Sequence, residues 1–183
     1  RGITLNDLQY PRAIYTLWSE AERNAINIYE VEIDKTNYKN ENWFINTDIT
    51  YSFDGTNVTG SYGTATAKAH ADTLFTAQDE TDGLGTEGEV ATRGLKYNLI
   101  QTVKAQAAGL LAETDWYITR KSEKNTAIPS AITTHRNAVR SKQAAMETAI
   151  TNASDTVALE TLYTATKQDD GTVARPLGQL PTL

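Results

Sequence analysis

One acidic, glycine-containing segment holds the residue types and spacing most suggestive of ligand chemistry, QDETDGLGTEG at residues 78–88. Its glycines Gly83, Gly85 and Gly88 match the GxGxxG spacing with which a strand–turn–helix unit holds the pyrophosphate of a dinucleotide. No apolar strand precedes these glycines, and the acidic side chains beside them would repel a phosphate. We therefore interpret the segment as an exposed loop and predict that the protein has no cofactor.

The same segment is a partial match to the calcium-binding loop of an EF-hand. With Gly83 at the sixth position, Glu80, Asp82 and Glu89 fall on the third, fifth and twelfth positions, where oxygen ligands belong. Gln78 stands at the first position in place of aspartate, and a flanking helix is predicted on one side only. The pattern leaves calcium binding open beside the simpler interpretation, a solvated acidic loop, and we assign no metal ligand.

The remaining catalytic residue types lack the spacing of a known site. The two histidines, His70 and His135, fall in no HExxH or other metal-ligand pattern, and Asp72 does not share a helical face with His70. No serine lies in a GxSxG turn, and the absence of cysteine excludes disulfides, thiolate metal sites and cysteine nucleophiles. The sequence therefore predicts a protein that is not an enzyme.

Charge and hydropathy exclude two classes of partner. The 183 residues contain 17 Lys and Arg against 23 Asp and Glu, a net charge of −6, whereas nonspecific nucleic-acid binding needs a basic surface. No apolar run approaches the roughly 20 residues that span a bilayer. We predict neither nucleic acid nor membrane as a partner. The chain begins with Arg1 rather than methionine, which indicates either removal of the encoded start or a segment of a longer protein.

Basic residues in the C-terminal half form one candidate docking patch. Arg136 and Arg140 are one helical turn apart and share a face, and Lys142 follows closely. Two interpretations remain: an electrostatic docking patch for an acidic partner, or a solvated face with partners inside the chain such as Glu113 or Asp115.

Aromatic residues form a second candidate surface. Exposed Trp43 and Phe44 would be buried against neighbouring subunits in an assembly. Alternatively, Trp43, Tyr51 and Tyr62 would form a platform for a carbohydrate ring. The simpler alternative is that these aromatics belong to the core.

The N-terminal residues predict a mixed α/β region with a small antiparallel sheet. Ser19 and Glu22 match a capping box at a helix start, and residues 26–33 predict a strand. Asp54-Gly55 predicts a hairpin turn. The Ala-rich residues 64–75 predict a short helix.

The C-terminal half predicts three helices. Apolar residues at three- and four-residue steps run from Leu95 to Leu110, a second helix is expected to start at Pro129, and a third covers residues 155–163 with Ser154 as its cap. The fold class is therefore α+β, a small N-terminal antiparallel β-rich region followed by a C-terminal three-helix hairpin or bundle.

This organisation predicts four segments along the chain. They are a mixed α/β domain at residues 1–77, an acidic linker at 78–88, a helical domain at 89–166 and an extended tail at 167–183 that becomes ordered only when bound.

Residues 110–140, LLAETDWYITRKSEKNTAIPSAITTHRNAVR, resemble the C-terminal helical hairpin of tailed-phage proteins associated with tail fibres and their assembly. In those proteins a leucine pair and Thr-Asp-Trp precede a helix that starts with proline and carries two arginines four residues apart. Residues 10–31 are similar to the start of such proteins, whereas residues 117–121 stand where the relatives often have a Pro-rich loop. In this hairpin we expect Trp116 to be a buried anchor of the turn and Pro129 to start the next helix.

The resemblance implies a non-enzymatic structural or adaptor subunit of a tailed bacteriophage particle, at the tail or the tail-fibre attachment. Its partners would be other phage structural proteins, tail or fibre components, in a multi-copy assembly. It would be located in the virion after assembly in the host cytoplasm. The alternatives are a tail-fibre assembly chaperone that is absent from the mature virion, and a carbohydrate-binding module for host attachment.

Overall fold

The computed structural model describes residues 2–183; Arg1 lies outside the described part. The predicted α+β fold class is confirmed, with small sheets mainly in the N-terminal part and packed helices in the C-terminal half. The chain forms two units, the first reaching Thr66 and the second spanning Ala67–Leu183.

The first unit is built from short strands and two short helices. In chain order these are β1 (Ile3–Leu5), β2 (Leu8–Tyr10), α1 (Ile14–Leu17), α2 (Glu20–Asn24), β3 (Val31–Asp34), β4 (Phe44–Ile45), β5 (Ile49–Phe53) and β6 (Val58–Tyr62), with β7 (Thr66–Ala67) at the boundary. The predicted capping box of α2 is confirmed, since Ser19 Oγ accepts from Glu22 N and the Glu22 carboxylate accepts from Ser19 N at 2.8 Å.

A three-stranded sheet in the order β3-β6-β5 is the largest in the described part of the chain. β5 and β6 form the predicted antiparallel hairpin around Asp54-Gly55, and Gly55 adopts a positive φ of 99°. β3 pairs parallel with β6, so this sheet is mixed rather than purely antiparallel. The connection from β3 to β6 contains β4 and β5 and supplies the long crossover that parallel pairing requires. The strand predicted at residues 26–33 starts only at Val31.

The second unit contains the long helices. Its elements are β8 (Thr73–Leu74), α3 (Ala77–Thr81), β9 (Val90–Thr92), α4 (Leu95–Ala112), α5 (Asp115–Lys124), α6 (Ser130–Asn152), α7 (Thr156–Tyr163), β10 (Thr166–Lys167) and β11 (Val173–Ala174). α4, α6 and α7 are the three predicted helices, and α5 is a fourth that the sequence did not indicate. The buried side chains of their shared core are Val103, Ala107, Ile132, Val139, Met146, Ile150 and Leu159.

The predicted start of the second long helix is confirmed to within a residue, and the cap predicted for the third is displaced. Pro129 occupies the position before α6, and its carbonyl accepts from Thr133 N at 3.2 Å. The cap of α7 is Asp155 rather than Ser154, because Asp155 Oδ1 accepts from Ala158 N at 2.8 Å.

Residues 67–88 fold with the helices, and the boundary lies before them rather than at residue 77. Residues 69–72 cap the start of α4 with a backbone and a side-chain acceptor: Leu95 N donates to Ala69 O at 3.0 Å, and Gly94 N donates to Asp72 Oδ1 at 2.8 Å. The prediction of a short helix at residues 64–75 is wrong, because that segment contains the strands β7 and β8.

Residues 78–88 are held within the second unit rather than acting as a linker. A capping box between Thr76 and Asp79 starts α3, and Phe75 N donates to Glu89 O at 2.9 Å.

The C-terminal residues are ordered against the helices, which corrects the prediction of an extended tail. β10 and β11 form an antiparallel hairpin. Leu177 is buried, and its N–H donates to Leu162 O at 3.0 Å. Burial of this apolar side chain provides a reason for order that the local sequence pattern did not reveal. Within residues 2–183, no helix combines the length and apolar character needed to cross a membrane.

Candidate functional site

Strand register places eight residues of the first unit on one side of the three-stranded sheet, which we name the apolar sheet face. Residues directly opposite one another on paired strands share a face, and alternate residues along a strand do too. Val31 lies opposite Val58, which lies opposite Phe53. The complete face consists of Val31, Ile33, Ile49, Tyr51, Phe53, Val58, Gly60 and Tyr62.

The opposite side of this sheet is polar. Its residues are Glu32, Asp34, Thr50, Ser52, Thr59 and Ser61. Such alternation is typical of a sheet with one solvated side and one side that packs against something apolar.

Much of the apolar sheet face is open to solvent. Tyr51 is 63% exposed and Phe53 is 52% exposed, although both are large apolar groups. At its centre Gly60 has no side chain, and a Cβ there would approach Ile33 Cδ1 and Ile49 Cγ2 to 2.9 Å. The isoleucines therefore close over the glycine and leave a shallow surface rather than a pocket.

Two aromatic contacts extend the apolar sheet face beyond the strands. The ring centroids of Tyr29 and Phe53 lie 4.6 Å apart, and those of Tyr38 and Tyr62 lie 5.0 Å apart. Together with the strand residues, these rings form one contiguous and partly exposed apolar surface.

The titratable groups near this sheet stabilise turns and strand ends. Hydrogen bonds from the side chain and backbone of Thr36 lower the pKa of Asp34. Backbone hydrogen bonds from Asn57 and Thr56 lower the pKa of Asp54. These two carboxylates are therefore hydrogen-bond acceptors within turns of the first unit.

The aromatic pair predicted as an exposed docking site is buried. Trp43 and Phe44 are both below one tenth exposed, and Lys39 Nζ lies 4.7 Å from the centroid of the Phe44 ring. Both residues therefore belong to the core, which was the simpler alternative for the aromatic residues, and Trp43 does not offer an open platform for a sugar. Of the platform residues, Tyr51 is exposed and Tyr62 is half-buried.

Arg136 is a structural residue rather than part of a docking patch. It is 7% exposed, and its Nη1 donates to Leu111 O and Thr114 Oγ1, each at 2.7 Å. The same nitrogen lies 2.8 Å from Asp115 Oδ1. Asp115 is therefore an intramolecular partner, as the alternative interpretation of the basic cluster predicted, and Arg136 joins α6 to the turn between α4 and α5.

The other two members of the basic cluster are not buried. Arg140 is exposed, whereas Lys142 is half-buried with its ammonium group close to Gly178. Docking of an acidic partner at Arg140 and Lys142 stays a prediction.

Trp116 is not the buried anchor of the turn. Its side chain is 51% exposed and lies against Tyr117, with ring centroids 3.9 Å apart, and Arg120 lies over its ring at 4.7 Å. The buried guanidinium of Arg136 holds the turn instead, because it donates to Leu111 O and Thr114 Oγ1.

The residues considered for ligand chemistry do not converge. Within residues 2–183, no group of three or more His, Asp or Glu side chains is arranged to hold a metal ion. The glycines Gly83–Gly88 follow the five-residue helix α3 and precede the short strand β9, so they neither follow a strand directly nor open a long helix. Gly85 lies against the ring of Phe75. His135 is buried on α6.

Sequence reasoning missed a groove beneath the C-terminal residues. A cavity of about 450 Å³ lies among α4, α6, α7 and the segment after β11, with Met146, Tyr163 and Leu177 in its lining. Burial raises the pKa of Tyr163. The groove exists because the C-terminal segment packs on the helices, and no local pattern indicated that packing.

Comparison of the chain with protein-family models, with curated protein sequences and with solved structures found no significant match.

Proposed function

We propose that the protein is a non-enzymatic structural or adaptor subunit of a tailed bacteriophage particle, at the tail or tail-fibre attachment. It acts through protein–protein interfaces with other tail or fibre components, in several copies. The observation that carries the interaction role is the apolar sheet face, with Tyr51 and Phe53 more than half exposed.

Burial of this surface is the physical drive for association. Complete burial of a fully exposed large apolar side chain contributes about 1.5–3 kcal/mol, and each partly exposed member of this face contributes a fraction of that. A protein partner with an apolar surface suits the aliphatic members Val31, Ile33 and Val58, which offer a ligand no hydrogen-bonding group.

The placement in a phage particle rests on the resemblance of residues 110–140 and 10–31 to tail-fibre-associated proteins. The hydrogen bonds of Arg136 to Leu111 and Thr114 join the leucine pair, the Thr-Asp-Trp turn and the arginine helix into one contact set. This supports treating the three parts of the motif as one structural unit.

The deciding experiment is quantitative mass spectrometry of mature particles purified from the phage that encodes this chain. A fixed copy number that matches a symmetry of the particle would support a virion subunit. Absence from particles, with abundance in the infected lysate, would overturn that role and favour the tail-fibre assembly chaperone.

The exposure of Tyr51 favours a second candidate, the carbohydrate-binding module. A sugar ring would stack on Tyr51 and Phe53. A glycan array tests this with Tyr51→Ala as the variant. A signal that is absent from the wild type, or unchanged by Tyr51→Ala, would exclude this candidate.

A further inference from the structure

We propose that the outer edge of β5 pairs antiparallel with β5 of a second copy of this chain, joining two three-stranded sheets into one six-stranded sheet. The inference deepens the proposed function, on which its biological role rests, by naming one partner of the multi-copy assembly.

β5 is available for such pairing because it lies at an edge. The strand order β3-β6-β5 leaves one outer edge on β3 and one on β5. Among the described residues, the outer side of β5 has no backbone hydrogen-bond partner.

The two edges differ in chemistry. β3 carries Glu32 and Asp34, and charged side chains on an edge strand discourage pairing with another chain. β5 reads ITYSF, without charge or proline, and it keeps a continuous register with β6 from Ile49 to Phe53. Of the two edges, β5 is therefore the one with no charged side chain inside the strand, and its nearest charges are the flanking Asp48 and Asp54.

The phase of the hairpin determines which backbone groups face outward. Asp54 N donates to Asn57 O at 3.2 Å, so these two residues form a hydrogen-bonded pair. Hydrogen-bonded and non-bonded pairs alternate along an antiparallel ladder. Thr50 and Ser52 consequently bond to β6, whereas the N–H and C=O groups of Ile49, Tyr51 and Phe53 point away from it.

These outward groups are self-complementary. In an antiparallel pair of β5 strands centred on Tyr51, Tyr51 lies opposite its own equivalent, and Ile49 lies opposite Phe53 of the second copy. Every outward donor then meets an outward acceptor, which is the pattern that a two-fold interface requires. The two apolar sheet faces also become continuous, and on the polar side Thr50 lies opposite Ser52 of the second copy. Just beyond the paired strands Asp48 lies opposite Asp54 of the second copy, a like-charge contact that weakens the pairing.

The dimensions of the sheet indicate how strong the pairing is. Pairing joins one five-residue strand, about 17 Å long, from each copy and leaves the apolar sheet face uncovered, so the contact is much smaller than a full interface. A stable interface buries about 800 Å² on each partner. Edge pairing alone therefore gives a reversible, concentration-dependent dimer that multiple copies in one particle would reinforce.

Analytical ultracentrifugation over a wide concentration range tests the pairing with the full chain. The wild type is expected to shift from its 20.1 kDa monomer mass toward twice that value as concentration rises. The double variant T50K/S52K places like charges opposite one another across the interface and is expected to remain monomeric. The control T56K/N57K adds the same charge to the exposed turn of the same hairpin and should associate as the wild type does.

A charge-swap mixture makes the test specific for register. T50E/S52E alone should also be monomeric, but mixed with T50K/S52K it should form a heterodimer, because position 50 of one copy meets position 52 of the other. A wild type that stays monomeric at every concentration would overturn the proposal, as would T50K/S52K associating like the wild type or a mixture that fails to associate.

Amide hydrogen exchange of the wild type tests the same contact without any variant. At high concentration the amides of Ile49, Tyr51 and Phe53 should gain protection, whereas those of Thr50 and Ser52, already bonded to β6, should not change. No gain at the three outward amides would refute edge pairing. A monomer in solution together with a fixed copy number in particles would refute this inference alone, and a dimer absent from particles would refute the proposed function alone.

Discussion

Replacing Arg136 by methionine tests whether a buried guanidinium holds the turn between α4 and α5. The arginine donates to Leu111 O and Thr114 Oγ1, each at 2.7 Å, and it is 7% exposed. Methionine preserves much of the apolar stem but removes the donors and the charge.

The expected loss follows from the partners that remain. A hydrogen bond to a charged group contributes about 1.5–3 kcal/mol, and Arg136 makes two of them to buried or half-buried acceptors. Both acceptors retain some bonding, because Thr114 Oγ1 donates to Leu111 O at 3.0 Å. The ion pair with Asp115 adds about 1 kcal/mol or less, since the aspartate side chain is mostly exposed. We therefore expect Arg136→Met to lower the free energy of unfolding by about 3 kcal/mol.

Urea unfolding followed by circular dichroism measures this loss, and hydrogen exchange of amides in α4, α5 and α6 locates it. Arg140→Met is the matched control, because Arg140 is exposed one turn further along the same helix; it should change stability by about 0.5 kcal/mol or less. Two variants within about 1 kcal/mol of each other would refute the role given to Arg136.

Four further changes test other parts of the structure by the same unfolding measurement or by thermal melting. Trp116→Ala should cost about 1 kcal/mol or less, because the indole is half exposed, and a loss above about 3 kcal/mol would restore the buried anchor. Gly60→Ala should destabilise by about 1–3 kcal/mol because its Cβ meets two isoleucine side chains, and an unchanged stability would contradict that crowding. Leu177→Ala should cost about 2–5 kcal/mol if the C-terminal segment is packed as described, whereas an unchanged melting temperature would show that it is not. The hydrogen bond from Ala158 N lowers the pKa of Asp155 below its ordinary value of 3.8, so its stabilisation is complete above that value and is lost as pH falls through the folded pKa. Asp155→Asn should therefore flatten the acid dependence of the melting temperature, and an unchanged slope would refute this.

The proposed surface was only partly predictable. The residues of β5 alternate with a period of two, which puts Ile49, Tyr51 and Phe53 on one side, and the predicted turn at Asp54-Gly55 puts β6 beside β5. The parallel pairing of β3 was not predictable, because it joins residues far apart in the chain whose register no turn determines. Without that pairing, the sequence did not reveal the extent of the apolar face or the contrast between its two edges.

The sequence by itself determined the features that depend on bonds between residues a few positions apart. The Ser19–Glu22 capping box, the Asp54-Gly55 hairpin and the start of α6 at Pro129 are local patterns, and local hydrogen bonding decides them. Only the tertiary structure decided which side chains are buried. Arg136 and Trp116 exchanged their expected exposures because burial depends on which elements pack together. A guanidinium on a long stem can reach a distant backbone carbonyl, and sequence spacing carries no information about that carbonyl.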